Sequence, residues 1–223
     1  MVDTEVARLC SLIEKGEYIT ENIPLPITCS MRIYNNEAAD FTFQADGGLL
    51  IQRDGEIVLK LTSDDEGHEG GHFSELSYFD EPRLRADGFI LKDVTFDGYA
   101  DIQVMTFAGA YNFGHDFYAY NPQTHTFGPE PILKDLVNVS VDLEHKEIVY
   151  FHKGRGLADT FSSGTYRFID GVYVLVETVT QDMMTGYDDP NPLYERITSK
   201  LQNGIMVVTK KETLTYTDVW GDE

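Results

Sequence analysis

Nine consecutive residues, Asp93-Val94-Thr95-Phe96-Asp97-Gly98-Tyr99-Ala100-Asp101, place oxygen-bearing side chains at loop positions 1, 3, 5 and 9. Position 6 is Gly98, where a tight turn needs a residue that tolerates positive φ. A hard cation such as Ca²⁺ takes its ligands from oxygens at this spacing, with the Tyr99 carbonyl expected at position 7. An EF-hand would supply a bidentate Glu at position 12, where this chain has Val104. The flanks also argue against helices. Phe89-Ile90-Leu91 leads in, and Ile102, Val104, Met105 and Phe107 lead out, with the branched and aromatic residues that suit strands. The expectation is a calcium loop in a β protein, ligated by Asp93, Thr95, Asp97, Tyr99 and Asp101. The plainer alternative is an Asp-Gly turn in an acidic chain.

A second metal pattern, His68-Glu69-Gly70-Gly71-His72, matches the His-Glu-x-x-His of zinc proteases. That chemistry needs a helix, so that both His share a face and Glu serves as general base. Glycines at 67, 70 and 71 each cost about 0.8–1.0 kcal/mol against Ala in a helix. The preceding Thr62-Ser63-Asp64-Asp65-Glu66 offers no apolar face. An acidic loop is the better reading, and a zinc hydrolase through His68 and His72 is the remote alternative. There is no Gly-rich phosphate loop, no Gly-x-Ser-x-Gly elbow and no Cys-x-x-Cys pair. Nothing in the sequence compels catalysis.

The elements that must position these residues are mostly strands. One amphipathic helix is expected over 4–15, with Val6, Leu9, Leu12 and Ile13 at helical spacing, Asp3 as N-cap and Gly16 as stop. Pro24 and Pro26 then break the chain, and strand-like runs follow at 27–34, 41–44, 49–52 and 56–61. Further runs lie at 117–120, 138–141, 147–151, 166–169, 172–180, 197–201 and 205–216. Asp54-Gly55, Asp170-Gly171 and Asn203-Gly204 each read as a two-residue hairpin turn. The fold expected is a mainly β single domain over 1–223, an antiparallel sandwich or a small propeller-like array of hairpins. A helical segment over 1–22 precedes its β part at 27–216.

Charge narrows the partners. The 223 residues carry 17 basic against 38 acidic side chains, a formal net charge of −21. Such a field repels nucleic acids and anionic membranes and attracts basic proteins or metal cations. Cys10 and Cys29 are compatible with one disulfide or with two buried thiols. No run reaches transmembrane length. The start, Met1-Val2-Asp3-Thr4-Glu5, has no signal-peptide pattern. A cytoplasmic protein and a mature segment with an added Met both fit that start.

The 93–101 loop, followed by Phe117-Tyr118-Ala119-Tyr120-Asn121-Pro122-x-Thr124-x-x-Phe127, resembles a bacterial group with integrin-like (FG-GAP-type) Asp-x-Asn-x-Asp-Gly-x-x-Asp loops. The group includes periplasmic lysozyme inhibitors and immunity proteins. The likeness covers about residues 88–180, with Thr95 standing where the group has Asn. Ser163-Gly164-Thr165-Tyr166 is similar to the Ser-Gly-x-Tyr signature of inhibitors of invertebrate-type lysozymes. In that family a loop carrying Ser and Tyr enters the enzyme's cleft and meets its catalytic carboxylates. The resemblance implies a non-enzymatic, calcium-binding, periplasmic protein that blocks a basic lysozyme or related peptidoglycan hydrolase, with Ser163, Gly164 and Tyr166 as the inhibitory segment. The alternative is an adhesion or scaffold module whose calcium loop is structural.

Overall fold

Alternation of apolar and polar residues at period two carries most of this chain into strands. In β1 (Ile27–Tyr34) the side chains of Ile27, Cys29, Met31 and Ile33 are buried while those between them are exposed. The computed structural model describes residues 2–15, 26–35, 37–44, 48–62, 89–109, 111–134, 136–154, 160–186 and 189–220. The His68–Glu69–His72 stretch lies outside the described residues. The protein is mainly β, with three antiparallel sheets, as the hairpin spacing leads one to expect. The chain divides into two compact units, one of Met1–Gly109 and Phe113–Asp135, the other of Ala110–Asn112 and Leu136–Glu223.

The first unit opens with α1 (Val2–Lys15), which begins one residue before the expected Asp3 cap. Two four-stranded meanders follow. The first is β1, β2 (Glu37–Phe43), β3 (Leu49–Arg53) and β4 (Glu56–Leu61); the second is β5 (Phe89–Lys92), β6 (Asp101–Ala108), β7 (Phe113–Asn121) and β8 (Thr126–Pro129). Leu9 and Ile13 of α1 join Phe41, Phe43, Ile51, Phe89, Ile102 and Val104 in one buried cluster. Phe89 meets Phe41 and Phe43 edge-on at 5.6 and 5.2 Å between ring centroids, a favoured aromatic geometry. The two cysteines form a disulfide with 5.2 Å between their Cα atoms, fastening α1 to β1.

The second unit is one six-stranded sheet in the order β14-β13-β12-β11-β10-β9. Its strands are β9 (Ser140–Asp142), β10 (Glu147–Lys153), β11 (Phe161–Ile169), β12 (Val172–Met183), β13 (Leu193–Gln202) and β14 (Ile205–Thr215). Helix α2 (Tyr216–Trp220) is a short terminal turn. Asn112 pairs with Lys153 through two hydrogen bonds of 2.9 Å, and Asn138 donates to the carbonyls of Tyr111 and Phe151. Those bonds tie the 111–112 segment into this unit. The three expected hairpins are present, each with positive φ at both central residues: 53° and 83° at Asp54-Gly55, 51° and 84° at Asp170-Gly171, 52° and 80° at Asn203-Gly204. This is the type I′ backbone that matches the twist of paired strands.

The Cys10–Cys29 bridge closes a 19-residue separation. Replacing both cysteines by Ser should lower unfolding free energy by about 2–4 kcal/mol in urea titrations.

Candidate functional site

The 93–101 loop is organised from within by Asp101, whose side chain is fully buried. One oxygen, Oδ2, accepts from the Val94 amide at 2.8 Å, the Thr95 amide at 3.0 Å and the Thr95 hydroxyl at 3.1 Å. The other, Oδ1, accepts from the Tyr120 amide on β7 at 2.8 Å. Asp93 braces the outer half, accepting from the Asp97 amide at 3.2 Å and the Gly98 amide at 2.9 Å. Asp97 accepts from the Tyr99 amide at 2.9 Å, an Asx turn. Gly98 sits at φ 93°, as the loop pattern requires. Phe96 is at φ 57°, a conformation costly for an aromatic residue and held by its anchored neighbours.

Burial lifts the Asp101 pKa to about 6, and the four donors hold it from rising further. Asp101 is therefore ionised at neutral pH. In the unfolded chain an Asp titrates near about 3.9. Between those values the folded state binds a proton that the unfolded chain lacks, so stability falls as pH rises from about 4 to about 6.

The loop also packs against the first meander. The Ala100 amide donates to the Ile33 carbonyl at 2.8 Å. Tyr99 stacks on Tyr34 at 4.2 Å between centroids and lies 5.4 Å from Tyr120. A Cβ at Gly98 would come within 3.3 Å of the Tyr34 ring. Beside it stands a polar cluster that the sequence did not reveal. Arg53 forms an ion pair with Glu37 at 3.0 Å, donates to His125 Nδ1 at 2.7 Å and donates to the Tyr120 hydroxyl. A guanidinium only donates, so His125 Nδ1 accepts and the ring carries its proton on Nε2. Arg53 and His125 are 72 residues apart, and no local pattern could have joined them. The expected Asn121-Pro122 turn is present, with Asn121 Oδ1 accepting from the Gln123 and Thr124 amides.

All five expected calcium ligands, Asp93, Thr95, Asp97, Tyr99 and Asp101, thus belong to one loop. Their donors are all oxygen, the chemistry a hard cation takes. A carboxylate has about four lone-pair sites, so Asp93, with one N–H on each oxygen, retains acceptor capacity. Among the described residues no three carboxylate, His or Cys side chains form a group ready to hold a metal. The loop is braced chiefly by its own amides.

Ser163, Gly164 and Tyr166 are in the second unit, whereas this loop belongs to the first. Where the resemblance implies a loop, Ser163 and Gly164 lie in the middle of β11, hydrogen-bonded to β10 on one side and β12 on the other. Gly164 lies opposite Tyr150, and a Cβ on it would collide with the Tyr150 ring. Tyr166 flanks that ring at 6.2 Å. The glycine is there because an aromatic ring crosses the strand, an arrangement that covers a glycine in a sheet.

No family model matches the chain, and no curated protein matches it. Among solved structures it is similar to a Xanthomonas type IV secretion system related protein, at 19% identity over 86% of this chain and 84% of that one, with a TM-score of 0.44.

Asp101→Asn should flatten the pH 4–6 stability slope, whereas Asp101→Ala, which orphans two buried and two half-buried donors, should lose about 3 kcal/mol or more at pH 7. Gly164→Ala should lose about 1–3 kcal/mol as Tyr150 is displaced. Urea unfolding across pH reads all three.

Proposed function

We propose that this chain is a non-enzymatic binding protein that docks on and inhibits a basic, lysozyme-like cell-wall hydrolase, as an inhibitor or immunity protein. The observation that carries the reading is the second unit: a single six-stranded sheet that leaves large apolar side chains in solvent on a chain of net charge −21. Val172 is 56% exposed, Val208 57% and Ile205 68%. Exposed apolar surface on an acidic protein suits a cationic protein partner. The resemblance of the 93–101 loop and its sequel to lysozyme inhibitors favours a hydrolase as that partner.

In this reading the 93–101 loop holds one Ca²⁺ through Asp93, Asp97, the Tyr99 carbonyl and the remaining acceptor capacity of Thr95 and Asp101. The ion would neutralise carboxylates that now lie within one short loop and would take no part in chemistry. The Cys10–Cys29 disulfide favours an oxidising, extracytoplasmic compartment such as the periplasm. Because Ser163, Gly164 and Tyr166 are residues of β11, with Gly164 and Tyr166 beside Tyr150, inhibition through them would require the sheet itself to face the enzyme.

Hydrolysis of peptidoglycan by lysozymes of the invertebrate, goose and chicken types, with and without the protein, is the test. Inhibition of one type is expected, and its association rate should fall as salt rises from low to physiological strength. Full activity of every type at stoichiometric excess would contradict the reading and leave the scaffold alternative.

A further inference from the structure

We infer that the surface entering the partner is the row of hairpin tips at one end of the second unit's sheet. This inference rests on the proposed function and gives that binding a location. In an up-and-down sheet, alternate turns fall at the same end. The β9–β10, β11–β12 and β13–β14 turns therefore stand at one end, neighbouring tips being two strands or roughly 10 Å apart across the sheet, with the Asp170-Gly171 tip reaching beyond the first, since Phe168 still bonds to Lys146.

Each tip carries large aliphatic residues in solvent. Leu143 is 56% exposed in the first turn, Ile169 41% and Val172 56% at the second, and Ile205 68% at the third. The backbone that carries these side chains is held firmly. The second and third tips are two-residue turns with both central residues at positive φ, and their strands pair up to the turn, Ile169 with Val172 and Gln202 with Ile205. In the first, Asp142 accepts from the amides of Glu144 and His145 at 2.9 and 3.0 Å, and Lys146 takes positive φ. Preorganised apolar knobs lose little entropy on binding.

The charges around the knobs specify the partner. Asp142, Glu144 and Asp170 are exposed at the tips. Arg167, a nearby cation, is already paired with Glu147 at 3.0 Å. At the first tip Lys146 is exposed and Asp142 pairs with His145 at 2.8 Å, so the acidic charge of the row is clearest at Asp170 of the second tip. A cleft with apolar walls and a cationic rim, on a basic protein, complements such a surface.

The free edge of β14 argues against the other common way a sheet binds. Addition of a partner strand there would meet Lys210 and Lys211, whose side chains are 62% and 61% exposed, and a register shift opposite Thr198/Ser199. Lysines and bulges are the devices that keep edges unpaired. Insertion of the tips meets no such obstacle.

The test measures inhibition and affinity for whichever panel lysozyme the intact chain inhibits. Val172→Asp and Ile205→Asp should each weaken binding by about tenfold or more. The charge changes Glu144→Lys and Asp170→Asn should slow association and flatten its salt dependence, Asn being suited to the positive φ of position 170. All four positions are exposed, so thermal midpoints should stay unchanged; Leu143→Ser and Val172→Ser serve where an Asp variant unfolds. Unchanged affinity for the Val172→Asp/Ile205→Asp double variant while the intact chain still inhibits would overturn the tip assignment alone. So would loss of binding on Ser163→Ala with the tip variants unaffected. Inhibition of no lysozyme would overturn the proposed function and the tip assignment with it.

Discussion

A single buried carboxylate closes the middle of the first unit. Asp101 begins β6, yet its two oxygens reach back to Val94 and Thr95 and across to Tyr120 on β7. An ionised group with no solvent exposure is tolerated only when donors replace its lost water. Four donors do so here. They fix the path of the chain from β5 to β6 and the register of β6 against β7. The same loop presents Ala100 to Ile33 and Tyr99 to Tyr34, so the buried charge also sets how the two meanders meet.

Net repulsion bears on the same point. Asp93, Asp97 and Asp101 lie within nine residues of a chain with 21 more acidic than basic side chains. Backbone amides offset that repulsion locally by donating to Asp93 and Asp97 as well as to Asp101. A divalent cation would offset it further. Arg53, a nearby cation, is engaged with Glu37, His125 and Tyr120.

Much of the architecture was legible in the sequence because its signals are local. Period-two alternation marked β1, and Asp-Gly or Asn-Gly pairs marked three hairpins that the backbone then adopts. Gly98 was legible for the same reason: one position of the loop demands positive φ. The place of Gly164 inside a strand was not legible, because this glycine answers Tyr150, 14 residues earlier and on another strand. The Arg53 cluster was illegible because its members come from four separate elements. The choice between disulfide and thiols at Cys10 and Cys29 needed the packing of α1 beside β1.

The central physical claim is that Asp101 is an ionised buried hub, and the proposal that rests on it is that a divalent cation completes its loop. The direct measurement is a ¹³C NMR titration of the Asp101 carboxyl, with and without Ca²⁺. The account predicts a midpoint near 6 without the ion and a shift well below that on saturation, as a nearby positive charge favours the carboxylate. A midpoint unmoved by millimolar Ca²⁺ would contradict the calcium assignment, and one near the unfolded value of about 3.9 would contradict the buried-hub description itself.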